Sequence, residues 1–293
     1  MGSLFGALLV ESGEQVTLLD IHRDHVDAIN TDGLEIETAD SRRCVRIQAT
    51  ADPSRIDPAE LCLIFVKSTH TAEAATVASR LAGPATVVLT LQNGMGNAET
   101  LAETLGPSRV IAGTTAHGAT FLGPGSIRHA GSGDTIIGPW STESMAAVHT
   151  TANVFNRAGI TTRVVTDVRR VMWSKLFINV GINAITALTG ITNGQLNDLG
   201  QTRQLAGEAV AEALAVARAL GVDVNDHPID TVFRVAQATG TNRSSMGQDV
   251  DNRRLTEIDA INGFIVKMAS PLGLPVPVNR TLTALVETLQ AHY

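Results

Sequence analysis

The chain predicts a doubly wound α/β unit followed by an all-α unit, and three observations carry this. Strand patterns alternate with helical patterns of about ten residues through the first 113 positions. The runs 61–66 (LCLIFV) and 85–91 (ATVVLTL) are continuously apolar, as in parallel strands covered on both faces. After Asp167 the apolar residues keep helical spacing to the end. The boundary falls near Thr166, giving units at 1–166 and 167–293.

Residues 2–12 (GSLFGALLVES) read as a helix that Gly13 stops. Residues 15–20 (QVTLLD) form a strand ending in an acid, and a helix starting near His25 closes at Gly33. Residues 34–50 contain alternating stretches (LEIETAD, CVRIQAT) and read as a hairpin excursion. Strand 61–66 leads into Lys67, and helix 72–81 follows. Strand 85–91 ends in Gln92-Asn93-Gly94-Met95-Gly96; a helix at 98–105 and a short strand at 110–113 come next. From His117 to Gly138, glycine-rich turns separate short strands, which predicts antiparallel pairs closing the sheet. Helix 145–158 and strand 161–165 finish the unit. The helical unit should break at 189–194, 221–227, 240–248 and 271–277.

This is a Rossmann-type pattern whose first strand is missing. In such a fold the first helix follows a strand and a glycine-rich turn. Here a helix begins at Gly2, and Met1-Gly2 reads as the tail of a G-x-G-x-x-G fingerprint. Asp20 then stands where an acid would hydrogen-bond an adenosine ribose. The bland alternative makes Gly2 and Gly6 merely small helix residues. A chain starting inside its own fingerprint should leave strands 15–20 and 61–66 with unpaired backbone groups.

Composition excludes several classes. The 293 residues are 44% hydrophobic and 17% charged, an ordinary globular balance. A net charge of −7 and 3% aromatics argue against nucleic-acid binding. Cys44 and Cys62 have no metal-ligand spacing, and the eight histidines include no HExxH; His22 and His25 lack further ligands nearby, so no metal is expected. The N-terminus lacks a basic n-region and meets Glu11 early, so a signal peptide is not expected, and the expected location is cytoplasmic. The apolar run 176–191 contains two asparagines and reads as a core helix, so no membrane partner is expected.

The most informative stretch is 171–195, VMWSKLFINVGINAITALTGITNGQ. Lys175, Asn179 and Asn183 recur every four residues. On a helix that spacing drifts by only about 40° per step, so the three share one stripe. A cation and two amides in an apolar seam are costly unless something polar meets them, and a small anionic or carbonyl ligand would do so. The bland reading has the lysine snorkel to water and the amides bond locally.

Taken with Leu91-Gln92-Asn93-Gly94-Met95-Gly96-Asn97, Gly113-Thr114-Thr115, Ser244-Ser245-Met246-x-Gln248-Asp249, Arg254-x-Thr256-Glu257-Ile258-Asp259 and Ile261-Asn262-Gly263, this row resembles the ketopantoate reductase family along essentially the whole chain. The resemblance implies reduction of 2-dehydropantoate to pantoate, on the route to pantothenate and coenzyme A, by a nicotinamide dinucleotide. It implies Lys175 as general acid and Glu257 as an active-site glutamate touching cofactor and substrate. Asn179, Asn183, Asn193, Ser244 and Ser245 become substrate contacts. Asn93 touches both ligands, and Gly2, Lys67 and Ala119 touch the cofactor. Bland alternatives stand beside these: a helix N-cap for Ser244 or Ser245 ahead of Gln248, a surface ion pair of Glu257 with Arg253 or Arg254, a plain Asn-Gly turn at Asn93, and a solvated strand end at Lys67.

The coenzyme is NADP by family habit, but Asp20 favours the free ribose of NAD, while Arg23 could reach a 2′-phosphate. Expected partners are a small 2-oxo acid, the dinucleotide and a second copy in a homodimer. Competing readings are a reductase of another branched 2-oxo acid and a non-catalytic paralogue lacking the phosphate-binding turn.

Overall fold

The computed structural model describes residues 1–224 and 227–293. The expected break at 221–227 includes Asn225 and Asp226, which lie outside the described residues. The chain forms two compact units, Met1–Gln92 with Asn97–Val168, and Asn93–Gly96 with Arg169–Tyr293.

The first unit opens with α1 (Gly2–Glu11), β1 (Thr17–Leu19), α2 (Arg23–Asp32), β2 (Leu34–Glu37), β3 (Arg42–Val45) and β4 (Gln48–Thr50). It continues through β5 (Ala59–Ile64), α3 (Thr71–Leu81), β6 (Ala82–Thr90), α4 (Asn97–Leu105) and β7 (Val110–Thr115). It closes with β8 (Gly118–Gly123), β9 (Ser126–Gly131), β10 (Thr135–Pro139), α5 (Met145–Arg157) and β11 (Thr162–Val164). The main sheet has the order β11-β10-β7-β6-β5. Its strands β5, β6 and β7 are parallel, as continuous apolar runs require. Among the described residues β1 pairs only with β4, and β5 only with β6.

The antiparallel region corrects one expectation. Only β10 adds to the main sheet, antiparallel to β7. The β8–β9 hairpin instead joins β2 and β3 in a separate sheet, β3-β2-β9-β8. Long-range pairing explains the choice. Ile36 and Ile127 sit opposite one another in buried register, and the Glu37 carboxylate is held between Arg42 at 2.8 Å and Arg128 at 2.6 Å.

Helix α1 is apolar all round because it serves two cores. Phe5 and Leu9 pack with Leu89, Ile111, Ile137 and Phe155, while Leu4 and Ala7 pack with Val26, Ile29, Leu34 and Ile127. His25 locks the second core. Its Nδ1 accepts the Gly125 N–H at 2.9 Å, which leaves the proton on Nε2 to donate to the Ser3 hydroxyl at 3.1 Å.

The second unit holds α6 (Val168–Thr189, whose first residue belongs to the other unit), α7 (Gln195–Asp198), α8 (Gly200–Ala219) and α9 (Pro228–Ala238). It ends with α10 (Ser245–Asp251), a 3-10 turn at Ile258–Ala260, α11 (Asn262–Leu272) and α12 (Pro277–Gln290). The break expected at 240–248 is shorter, since α10 starts within it. That expected at 271–277 is also trimmed, because Pro271 lies in the last turn of α11, where it removes a single backbone bond. By length and composition α6 could cross a membrane, but Trp173, Leu176, Phe177, Val180, Ile182 and Ile185 are buried in protein. A methyl at Gly181 would stand 2.9 Å from Val210 of α8 and 2.8 Å from Val232 of α9, so the missing side chain permits close packing. The Glu212 carboxylate on α8 accepts the Val278 and Asn279 N–H groups, both at 2.9 Å, and so caps α12.

Burial lowers the His25 pKa below its ordinary 6.5, with the Asp20 charge opposing. The unfolded chain therefore binds the proton more tightly. The stability His25 contributes is complete above pH 6.5 and is lost as pH falls through the folded value. H25A should cost about 1–3 kcal/mol at pH 7.5, because it strands the buried Gly125 N–H. It should also flatten the loss of stability between pH 7.5 and 5.5, measured by urea unfolding.

Candidate active site

Two sets of predicted residues remain as groups within the units that hold them. In the helical unit, Lys175 and Asn179 are half-buried on α6, and Asn183, two turns on, is only 5% exposed. Desolvation lowers the Lys175 pKa to about 8, and the Glu257 charge opposes the shift. Glu257 is itself buried, so the surface ion-pair alternative with Arg253 or Arg254 is replaced by a carboxylate whose field acts on Lys175.

The turn after Glu257 explains how Asn93 enters this unit. Met95 N–H donates to the Ala260 carbonyl at 2.8 Å. Gly94 has φ +78°, and a side chain there would collide with Ala260 at 2.5–2.6 Å, so only glycine permits the approach. Asn93 is thus fixed one residue before a docked turn.

Ser244 and Ser245 divide the two readings offered for them. Ser244 is the buried N-cap of α10; its Oγ accepts the Gly247 N–H at 3.0 Å and the Thr186 hydroxyl at 2.7 Å. Ser245 is exposed. Asn193 is pinned by its backbone N–H to the Asn242 carbonyl at 3.0 Å and by Nδ2 to the Thr239 hydroxyl at 2.9 Å. The Thr239 hydroxyl proton goes to the Val235 carbonyl, so its oxygen must accept, which fixes the Asn193 amide orientation. Asn193 Oδ1 and Asn183 Nδ2 are then buried with no partner. One is an acceptor and one a donor, so the pair offers both kinds of hydrogen-bonding capacity.

In the α/β unit, Gly2 begins α1, which no side chain caps. A methyl at Gly2 would meet only Phe65, at 3.9 Å. Asp20 follows β1 and its carboxylate accepts the His22 N–H at 2.9 Å. Arg23 opens α2, exposed. Its charge acts on Asp52, whose pKa is held low chiefly by bonds from Ser54 and also by Arg55 and Arg23. Lys67 is half-buried beyond β5. Asp20 and Lys67 thus follow the carboxyl ends of β1 and β5, the strand ends at which doubly wound folds bind ligands, while Gly2 faces Phe65 just beyond β5 and the Asp20 charge acts on the Met1 amino group. Ala119 lies apart from them in sequence and sheet, on β8 opposite His129. Among the described residues no group of three or more His, Cys, Asp or Glu could hold a metal.

Two structural residues escaped sequence reasoning. The Gln92 amide nitrogen donates to the Val66 carbonyl at 2.7 Å and the Thr71 hydroxyl at 2.9 Å, tying the end of β6 to the segment around Lys67. Its place beside Asn93 was the available signal. Arg243, which bonds the Thr186 and Ile191 carbonyls, carried none.

A nucleotide-type α/β unit joined to a helical unit with a lysine–amide stripe defines a two-domain oxidoreductase. The chain belongs to the ketopantoate reductase family: the ketopantoate reductase PanE/ApbA pattern matches residues 1–142 and its C-terminal pattern matches 167–290. It is 39% identical over 291 residues to a 2-dehydropantoate 2-reductase of Halobacterium salinarum, covering 99% of this chain and 96% of that protein. It superposes on a PanE/ApbA family ketopantoate reductase from Ralstonia eutropha with a TM-score of 0.91 at 34% identity, covering 98% and 94% of the two chains. The fold alone is shared with a D-mandelate dehydrogenase solved with NADH and anilino(oxo)acetate, at 24% identity and a TM-score of 0.93, covering 100% and 96%. Matches running from residue 1 give the expected N-terminal truncation no support.

The Lys175 assignment is testable without turnover. An NMR titration of its Nζ or Cε should give a midpoint at about 8. Glu257→Gln removes the opposing charge, so the midpoint should fall further.

Proposed function

We propose that the chain reduces 2-dehydropantoate to pantoate with a nicotinamide dinucleotide, in the cytoplasm. The observation that carries this is the desolvated Lys175 ammonium with Glu257 acting on it, beside buried amide groups that await partners.

The α/β unit fits the coenzyme. The uncapped start of α1 offers backbone N–H groups to phosphate, and the open space at Gly2 admits close approach. Lys67 adds positive charge, and Asp20 suits a ribose diol. When bound, the dinucleotide supplies hydride to the substrate's C2. Asp20 disfavours a 2′-phosphate, which supports use of NADH at least as readily as NADPH.

The helical unit does the proton chemistry. Charge develops on the oxo oxygen as C2 is reduced, and Lys175 Nζ delivers the proton that makes the new hydroxyl. A lysine with a pKa of about 8 is charged at neutral pH and still gives up its proton readily. Asn179 and the unpaired Asn183 Nδ2 suit the substrate's oxygens. Ser245 is the serine with a hydroxyl to offer the carboxylate, since Ser244 serves the helix.

Asn193 Oδ1 favours 2-dehydropantoate over a plain branched 2-oxo acid. It is an acceptor, so it needs a donor, and the distal hydroxyl of 2-dehydropantoate provides one. An analogue lacking that hydroxyl leaves the buried oxygen unpaired.

Two measurements check this reading. K175A should lower turnover by roughly 10²–10⁴-fold; turnover near wild type would remove Lys175 as the acid. Wild type should prefer 2-dehydropantoate to 3-methyl-2-oxobutanoate by roughly 10- to 100-fold in kcat/KM through this contact, and N193A should lose most of that preference. Equal use of both acids by wild type would favour the other branched acid, and no activity on either would favour the non-catalytic reading.

A further inference from the structure

The residues proposed to hold substrate stand on three separate segments: the end of α6 with Asn183, the loop with Asn193, and the start of α10 with Ser244 and Ser245. One guanidinium joins all three. Arg243 Nη1 donates to the Thr186 carbonyl at 2.6 Å and to the Ile191 carbonyl at 3.0 Å. Arg243 Nε and Nη2 grip the Asp251 carboxylate at 2.9 and 2.8 Å. Thr186 lies in the last turn of α6, and its carbonyl accepts the Gly190 N–H at 3.1 Å as well as the guanidinium. Ile191 lies two residues before Asn193, and Asp251 closes α10.

The neighbourhood is built around this fork. Gly247 faces the guanidinium, and a methyl there would stand 2.8 Å from Nη1 and 2.9 Å from Cζ. Gln248 Nε2 holds the Arg243 carbonyl at 3.0 Å. Segments 193–194 and 240–242 are laced by the Asn193 N–H to the Asn242 carbonyl and the Gly194 N–H to the Gly240 carbonyl, both at 3.0 Å. The Thr186 hydroxyl donates to Ser244 Oγ at 2.7 Å and so ties the turn of α6 after Asn183 to the start of α10. Arg243 therefore links the segments that carry Asn183, Asn193 and Ser245, and these bonds take four of its five N–H groups.

We propose that Arg243, seated against Gly247, is a positioning residue for 2-oxo acid binding. This rests on the reductase reading above. Lysine cannot replace it, because a single ammonium cannot bond two carbonyls and a carboxylate in one planar fork. Gly247→Ala is the sharper test. The guanidinium is the movable end of a flexible side chain, so the fold can accept the methyl by shifting Arg243 off its carbonyls, with Ser244 Oγ, 3.1 Å from the added carbon, giving by a few tenths of an ångström.

In the full chain with coenzyme, R243K and G247A should each raise the KM for 2-dehydropantoate roughly tenfold, the scale of lost hydrogen bonds. The kcat should change less than threefold and the coenzyme KM should stay constant. D251N keeps both carbonyl bonds, so its effect should be smaller. In the ligand-free protein, the side-chain amide NMR signals of Asn183 and Asn193 should move in R243K and G247A, while that of Asn279 stays. If both variants keep the wild-type KM and amide signals, the positioning role is overturned, whatever their melting temperatures. A parallel rise in both KM values would mark a general structural defect and overturn it equally. Wild type lacking activity on any 2-oxo acid sinks the reductase reading; the amide signals still decide whether Arg243 positions these residues.

Discussion

The helical unit is organised around one cost, the desolvation of the Lys175 ammonium. An unpaired buried cation neutralises rather than persists. Here burial brings the pKa down to about 8 and Glu257 keeps it from falling further. Glu257 is itself buried, and the turn that carries it is anchored on both sides. Thr256 donates through its N–H and hydroxyl to Gln290 Oε1 on α12, at 3.0 and 2.8 Å. Ala260 receives the Met95 N–H. The Asn-Gly-Met-Gly loop is therefore part of the apparatus that fixes the carboxylate, and Gly94 follows from the closeness of that contact.

Polar burial elsewhere in the unit shows what a purely structural solution looks like. The Asn279 amide nitrogen donates to the Ala209 carbonyl at 2.9 Å and to Glu212 at 2.7 Å, and its oxygen accepts from Asn262 at 3.0 Å. Both ends of that amide are satisfied, as stability demands. Asn183 and Asn193 each keep one buried atom without a partner. Asn197 Oδ1 and Asn262 Oδ1 of the same unit are also buried without a partner, so it is the place of Asn183 on the lysine stripe and of Asn193 in the adjoining loop that supports the ligand reading proposed for them.

What was legible in the sequence was local or periodic. The Lys175, Asn179, Asn183 row could be placed on a helix from its spacing alone, and the parallel strands β5 and β6 followed from unbroken apolar runs. What was not legible depended on partners far along the chain. The hairpin at 118–131 has the same glycine-rich signature whether it joins the main sheet or pairs with β2. Only the meeting of Ile36 with Ile127 and of Glu37 with Arg128 decides. His25 sits in a polar helix and reads as a surface residue until Gly125, a hundred positions later, is laid against it. Arg243 looks like any solvated arginine, because its acceptors are carbonyls more than fifty residues away.

The serine pair shows why a motif match and a physical reading are both needed. Ser244 and Ser245 are adjacent and chemically identical, and the family resemblance assigns substrate binding to both. Helix geometry separates them. The first has its oxygen committed to the Gly247 N–H and the Thr186 hydroxyl, and the second begins the helix facing outward. The first serine also passes the position of α6 on to the second, because its bond to Thr186 ties α10 to the turn that carries Asn183. Thr186 is thus gripped twice, by Ser244 through its hydroxyl and by Arg243 through its carbonyl. The asparagine on α6 and the serine on α10 that we propose to meet substrate are held in register by Thr186, Ser244 and Arg243. Precision in such a site is a property of those neighbours as much as of the groups that meet the ligand.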